Sequence, residues 1–208
     1  MTVISFYTKN TIYEKEVEDL AASCRALEID HYIEAREDLG NWEQNCCQKP
    51  LFILECLEKF NKPLLWVDAD GVVLQKPSLS FEEFDLGLYY NNVRTKHVRA
   101  ATVYISPTQA AKNFLKLWHQ TCLEKIARRE KLPFGDQAVL IALLRKKEIP
   151  LKIGKLPLEY TRIFDRDLVP MEKTVIIHFQ ASRTALMDPI FWKNLTGRDL
   201  KAMRMAQR

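Results

Sequence analysis

The sequence predicts an α/β fold in which a mostly parallel central sheet is flanked by helices. Short apolar segments alternate along the chain with segments whose apolar residues recur at helical spacing, which is the pattern of strand–helix–strand units. The chain has 208 residues and a hydrophobic content of 47%, which is enough for one domain with a buried core. In such sheets ligands bind beyond the carboxyl ends of the strands.

The first third of the chain holds three predicted strands separated by two predicted helices. The strands are VISFYT (3–8), HYIEAR (31–36) and LLWVD (64–68). Residues 12–28 have the apolar spacing of a helix, and a second helix has Pro50 in its first turn, where proline fits. That helix is expected to stop at Asn61.

The remaining predicted elements continue the alternation. They are strands at LGLYY (86–90), ATVYIS (101–106) and TVIIHF (174–179), and helices that begin at Ser106-Pro107, Gly135-Asp136 and Asp188-Pro189. The helix at Ser106-Pro107 is expected to run to about Arg128. The Gly135-Asp136 step can be interpreted as an N-cap, because Asp before an apolar helical stripe caps helices well.

Composition narrows the function classes. The net charge of +4 suits an anionic ligand but does not require nucleic acid, and no basic–aromatic patch indicates a nucleic-acid binder. The five cysteines form no CxxC pair, which favours reduced thiols and a cytoplasmic location. The sequence MTVISFYTKN does not have the pattern of a signal peptide, and no apolar run reaches the roughly 18 residues of a membrane span.

The segment VDADG, residues 67–71, places Asp68 and Asp70 at the end of an apolar strand. Three interpretations are open. Asp70-Gly71 could form a turn, although a turn needs only one of the two carboxylates. The segment could be the nucleophile motif of a haloacid dehalogenase-like phosphatase. It could also bind a divalent cation that bridges the phosphates of a nucleotide-sugar.

The phosphatase interpretation meets two objections. Its DxDG motif normally follows the first strand of the domain, whereas here a strand, a helix and another strand precede Asp68. Its later acidic motif requires a second carboxylate a few residues after Gly135-Asp136, and none is present in residues 137–143. The cation interpretation predicts a further ligand at another strand end, and TVIIHF supplies His178 as a candidate.

The order of these motifs resembles that of GT-A-fold glycosyltransferases that use nucleotide-diphosphate sugars. The resemblance rests on Lys49-Pro50 before the strand that ends in DADG, on ATVYISPT, on GDQAVL and on the late IHF strand. It covers about residues 3–183. It implies a single Rossmann-like GT-A domain, with UDP as the commonest carrier and a glycan, lipid, protein or small molecule as acceptor.

The resemblance also implies roles for individual residues. Asp70 would hold Mn²⁺ or Mg²⁺, Asp68 would share the ion or contact the ribose, and His178 would be the third metal ligand. Tyr7 and Thr8 would line the nucleotide pocket.

Lys49 would approach the ribose or the diphosphate. Asp136 and Gln137 would face the sugar and the acceptor, with Asp136 in a catalytic role and N-capping as its structural alternative. Ala100-Ala101 stands where many such enzymes have a pair containing glycine, which leaves the donor sugar open.

The chain is expected to divide into a transferase domain, residues 1–185, and a basic helical tail, residues 186–208. The tail combines basic and apolar residues. It could contact the inner face of a membrane peripherally, close on the donor phosphates, or be a solvated end. Two alternative functions remain at this stage, the phosphatase and a catalytically degenerate protein that only binds a nucleotide-sugar.

Overall fold

The computed structural model describes residues 1–79, 81, 83–91 and 98–181. The predicted tail and the helix start at Asp188-Pro189 lie outside these residues. The strands are β1 (Thr2–Thr8), β2 (His31–Arg36), β3 (Leu64–Val67), β4 (Gly71–Val73), β5 (Leu86–Tyr90), β6 (Val98–Ile105), β7 (Ile153–Lys155), β8 (Arg162–Ile163) and β9 (Ile176–His178). The helices are α1 (Tyr13–Ala26), α2 (Trp42–Cys46), α3 (Lys49–Phe60), α4 (Gln109–Ala127) and α5 (Asp136–Lys146).

The central sheet has six strands in the order β2-β1-β3-β6-β5-β7. Strand β1 pairs in parallel with β2 and β3, and β5 pairs in parallel with β7. Strand β6 is antiparallel to both of its neighbours, so five of the six strands run in one direction. The predicted α/β class with a mostly parallel, helix-flanked sheet is therefore confirmed.

A second, three-stranded sheet has the order β4-β9-β8. The sequence predicted the strand at residues 174–179 but not this sheet. Strand β4 follows the DADG segment immediately and pairs antiparallel with β9, with Gly71 opposite His178. An alanine Cβ at Gly71 would lie 2.6 Å from Val67 Cγ1 and 3.2 Å from His178 Cε1. The missing side chain therefore lets the two segments meet.

The helices form where the sequence places apolar residues at helical spacing. In α1 the buried side chains are Val17, Leu20 and Cys24, while Glu14 and Glu16 stand in the first turn, where the helix dipole favours negative charge. Helix α3 has proline in its first turn and ends at Asn61, which is left-handed at φ 45°. None of the helices in the described ranges is long and apolar enough to cross a lipid bilayer.

Two apolar clusters cover the two faces of the central sheet. One includes Phe52, Trp66 and Trp118, and the other includes Leu20, Leu65 and Tyr104. Trp66 and Leu65 are neighbours on β3 and belong to different clusters, because successive side chains of a strand point to opposite faces. All five cysteines are free thiols and none forms a disulfide. The sheet is thus held from both sides, and its carboxyl edge is left for the site.

Candidate functional site

A cleft opens where β1 and β3 end. Its cavity volume is about 220 Å³. The predicted site residues in its lining are Tyr7, Thr8, Lys49, Asp68, Asp70 and Asp136, joined by Trp42, Cys46, Trp66, Phe134, Gln137 and Gln180. His178 is fully buried and does not line the cleft itself. Its Nδ1 atom lies 3.6 Å from Asp70, which does line the cleft.

Asp70 and His178 form a close, buried pair. The Oδ1 atom of Asp70 is 3.6 Å from Nδ1 of His178, which is too long for a hydrogen bond. The Oδ2 atom of Asp70 accepts a 2.8 Å hydrogen bond from the backbone N–H of Ala181. On the far side of the ring, Nε2 of His178 lies 2.8 Å from the hydroxyl of Thr102. Both partners are thus fixed, and Nδ1 is left without a hydrogen-bond partner among the described residues.

Asp68 faces a different partner, the ammonium of Lys49. The Oδ1 atom of Asp68 lies 3.0 Å from Nζ of Lys49 and accepts a 2.7 Å hydrogen bond from the indole N–H of Trp66. Nζ is also 3.2 Å from Oδ2 of Asp136 and donates to the carbonyl of Ala100 at 3.2 Å. Three oxygens of the protein thus lie within 3.2 Å of the Lys49 ammonium.

Asp136 is the first residue of α5 and is only 3% exposed. The helix begins without a side-chain cap, so the capping interpretation is wrong: the carboxylate points to Lys49. Burial raises the pKa of Asp136, Lys49 lowers it and Asp68 raises it, and the pKa is about 6. Burial lowers the pKa of Lys49, but Asp136 and Asp68 outweigh it, so this pKa lies above its usual range. The lysine is therefore a permanent cation.

Among the described residues, no lysine or arginine is paired with Asp70 in the way that Lys49 is paired with Asp68. Burial and then the charge of Asp70 raise the pKa of Glu16 to about 7. The same two causes, in the same order, raise the pKa of Tyr13 above its usual range. Cations stabilise the charged forms of acids, and both shifts go the other way. The surroundings of Asp70 would therefore favour an added cation.

The predicted clamp of Asp68, Asp70 and His178 is not assembled as a group of three. Within the residues that the structure describes, no three His, Cys, Asp or Glu side chains are gathered closely enough to hold a metal ion. The reason is Lys49, which attracts Asp68. Asp70 and His178 alone still fit a divalent ion, because Mg²⁺ and Mn²⁺ sites for nucleotides commonly use one or two protein ligands and complete their shell with phosphate oxygens and water.

Several residues at or beneath the cleft were not predicted from the sequence. Thr102 is bonded to His178, and the indole N–H of Trp66 donates to Asp68. Gln137, which the resemblance places beside Asp136 toward the sugar, lines the cleft and accepts a 3.0 Å hydrogen bond from the Ala100 N–H. Trp42 stands on α2, a helix that was not predicted, although Asn41 accepts a hydrogen bond from Gln44 N–H in an N-cap. Asn followed three residues later by Gln was the available signal.

No protein-family model matches the chain, and no curated protein matches its sequence. Solved structures do match its fold. A glycosyltransferase involved in the glycosylation of the major capsid of PBCV-1 aligns with a TM-score of 0.67 and 18% identity, over 88% of this chain and 95% of that one. The apo form of the glycosyltransferase GlyE from Streptococcus pneumoniae TIGR4 aligns with a TM-score of 0.58 and 14% identity, over 86% of this chain and 54% of that one. The chain has the α/β fold of these two proteins.

Proposed function

We propose that this protein is a metal-dependent glycosyltransferase of the GT-A type. It moves a sugar from a nucleotide-diphosphate donor, with UDP as the expected carrier, to an acceptor hydroxyl. The observation that carries this proposal is the pair of Asp70 and His178, a carboxylate and an imidazole that are 3.6 Å apart at the cleft of a glycosyltransferase fold.

The pair supports a cation site because its arrangement is unfavourable without one. A buried imidazole nitrogen that lacks a partner costs about 1–3 kcal/mol, and Nδ1 of His178 is such an atom. With the proton on Nε2 donated to Thr102, the lone pair of Nδ1 faces the carboxylate of Asp70. This is how protein hydrogen bonds commonly orient a metal-binding histidine. When bound, Mn²⁺ or Mg²⁺ would stabilise the charge that develops on the departing nucleoside diphosphate.

The other cleft residues would bind and orient the reactants. Tyr7 and Thr8, at the end of β1, would contact the nucleoside. The ammonium of Lys49 lies 3.0 Å from Asp68 and 3.2 Å from Asp136, so its role would be to hold these two carboxylates in place. Oδ2 of Asp136 would accept the proton of the attacking acceptor hydroxyl, a role that belongs to an inverting displacement.

Calorimetry with UDP tests the proposal. We expect saturable binding of UDP with Mn²⁺ and much weaker binding in EDTA. The variant Asp70→Asn keeps an oxygen to accept from Ala181 and should lose the metal-dependent part. Failure of UDP and the other nucleoside diphosphates to bind with either Mn²⁺ or Mg²⁺ would refute the proposal.

The alternatives are separated by activity measurements. The phosphatase alternative is not favoured, because the solved structures of similar fold are glycosyltransferases. Phosphate release from a generic phosphomonoester that is lost in Asp68→Asn would revive it. A catalytically degenerate protein would bind UDP with metal but neither hydrolyse a UDP-sugar nor transfer its sugar.

A further inference from the structure

An exposed aromatic ring stands at the same cleft, two residues before Asp136. The Phe134 side chain lines the cleft and is 64% exposed. Among the described residues, large apolar side chains are otherwise mostly buried in the two clusters on the sheet. An exposed aromatic residue at a cleft is a common sign of a binding site, because burying it on a ligand is favourable.

The backbone holds this ring in place. The N–H of Gly135 donates to the carbonyl of Leu132 at 2.7 Å, and the N–H of Gln137 donates to the carbonyl of Phe134 at 3.1 Å. Leu132 is 2% exposed and anchors the start of the turn. The exposure of Phe134 therefore belongs to a turn that is bonded at both ends.

Gly135 directs Phe134 and Asp136 to different depths. It adopts φ 53° and ψ −137°, a backbone conformation that residues other than glycine rarely adopt. A Cβ at this position would lie 2.7 Å from Cβ of Cys46 and 3.5 Å from the Trp42 ring. The turn thus packs directly on α2. Phe134 stays at the mouth of the cleft while Asp136 reaches the buried ammonium of Lys49.

Polar side chains line the cleft together with the ring. Oδ2 of Asp136 is buried and, although it is 3.2 Å from Lys49 Nζ, it makes no hydrogen bond of good geometry. The amide oxygen of Gln137 accepts a hydrogen bond from the N–H of Ala100, and its amide nitrogen is a donor. A buried carboxylate and a side-chain amide thus line the same cleft as the exposed ring, and together the three residues form a surface that is partly apolar and partly polar.

We propose that Phe134 is the platform for the acceptor, and that the acceptor is a carbohydrate. A pyranose ring has an apolar C–H face, which suits the phenyl ring, and a rim of hydroxyls, which suits the carboxylate and amide groups in the same cleft. A lipid alcohol would instead need a continuous apolar channel, whereas Lys49, Asp68 and Asp136 place charges along this cleft. A sugar on Phe134 would present a hydroxyl toward Asp136. The inference rests on the proposed function and gives its acceptor class.

Saccharide binding and sugar transfer, measured on the same variants of Phe134, test this inference. Saturation-transfer NMR would be recorded with methyl glycosides and disaccharides, with and without UDP and Mg²⁺, and in parallel with a long-chain alcohol and a Ser/Thr peptide. We expect saccharide binding to weaken about tenfold in Phe134→Ala, the upper range for a contact of this type, and to return in Phe134→Tyr. The control Leu123→Ala removes an exposed side chain on α4 and should bind as the wild type does.

The possible outcomes separate the two proposals. Calorimetric binding of UDP with Mn²⁺ should be unchanged within about twofold in Phe134→Ala, while KM for a saccharide acceptor rises and hydrolysis of the donor by water persists. If the wild-type protein binds UDP but binds no saccharide, the acceptor site alone is overturned. The same holds if saccharide binding is unchanged in Phe134→Ala. Binding of the alcohol or the peptide in place of saccharides also overturns it. If the wild-type protein does not bind UDP, the proposed function is overturned. The saccharide titration without nucleotide still decides the role of Phe134.

Discussion

Asp68 and Asp70 are two residues apart and have opposite surroundings. Asp68 shares the ammonium of Lys49 and the indole N–H of Trp66. Asp70 faces the imidazole of His178 at a distance too long for a hydrogen bond. The chain turns between them, with the N–H of Gly71 bonded to the carbonyl of Asp68 at 2.8 Å. The turn sends one carboxylate to a cation that the protein supplies and the other to a place where a cation could be added.

From this difference we infer a structural role for Asp68 and a ligand-binding role for Asp70. The Lys49 cluster, defined as Lys49, Asp68 and Asp136, contains one cation for two carboxylates and lies largely buried. The Asp70–His178 pair contains no fixed positive charge. The Lys49 cluster should therefore be essential for stability, and the Asp70–His178 pair for the binding of metal and nucleotide.

The largest expected effect is on stability, in Lys49→Met. Removing one partner of a buried ion pair typically costs about 3–5 kcal/mol, because the remaining charges stay buried without compensation. We expect a loss of that order in the free energy of unfolding, measured by urea titration at pH 8. The loss should be smaller at pH 5, where Asp136, with its pKa of about 6, can take up a proton.

Lys62→Met is the matched control. Its ammonium pairs with Asp30 at 3.7 Å on the surface, and exposed pairs contribute about 0–1 kcal/mol. Equal losses in the two variants would contradict the structural role of the Lys49 cluster.

The next effect is on metal binding, in Asp70→Asn. Loss of a residue that only orients a metal ligand costs about 10–100-fold in metal affinity. Loss of a direct ligand should therefore weaken Mn²⁺-dependent UDP binding about 100-fold or more. The stability of the metal-free protein should change little, since the amide oxygen can still accept from Ala181. Calorimetry and urea titration of the same sample provide both values, and a variant that binds UDP and Mn²⁺ normally would show that Asp70 is not a ligand.

A smaller effect is expected in Thr102→Val, which keeps the shape of the side chain and removes the hydroxyl bonded to Nε2 of His178. Mn²⁺ affinity should fall about 10–100-fold, because the imidazole loses the group that sets its tautomer and orientation. Thr121→Val is the control, since that hydroxyl bonds only a helix carbonyl at Leu117. If Thr102→Val and Thr121→Val bind Mn²⁺ equally well, His178 does not depend on this hydrogen bond.

A further effect is a pH dependence of stability that comes from Asp136. Its pKa in the folded protein, about 6, is higher than the usual value of 3.8. A raised pKa means that the folded state prefers the protonated acid, so this stabilisation is present below about pH 4 and is lost as the pH rises through about 6. Asp136→Asn should therefore gain stability relative to the wild type between pH 4 and pH 7 in metal-free buffer. A constant difference across that range would contradict the raised pKa.

Periodicity predicted the elements that carry enough residues to show a pattern. The strands at residues 3–8 and 31–36 and the helix stripe of Val17, Leu20 and Cys24 were recovered with small changes at their ends. Strands β4, β7 and β8 have two or three residues each, too few for an alternating pattern to be recognised.

The sequence predicted which residues gather at the candidate site, but it did not predict which of them contact each other. The sequence indicates that Asp70 and His178 end strands, and strand ends gather at one edge of a sheet. It gives no sign that β4, which begins just after Asp70, forms a second sheet with β9 in which Gly71 pairs with His178. Likewise, nothing local to Lys49 indicates that Asp136, far along the chain, shares its ammonium with Asp68. Such contacts depend on how the helices pack.

Pulsed EPR of bound Mn²⁺ tests the central claim most directly. The protein would be labelled with ¹⁵N-histidine and mixed with Mn²⁺ and UDP, and the couplings of the ion to nitrogen and phosphorus would be recorded together. We predict a directly coordinated imidazole nitrogen and phosphate phosphorus on the same ion, with the nitrogen coupling absent in His178→Gln. A Mn²⁺ signal that has the phosphorus coupling but no histidine coupling in the wild type would contradict the assignment of Asp70 and His178 as the metal site.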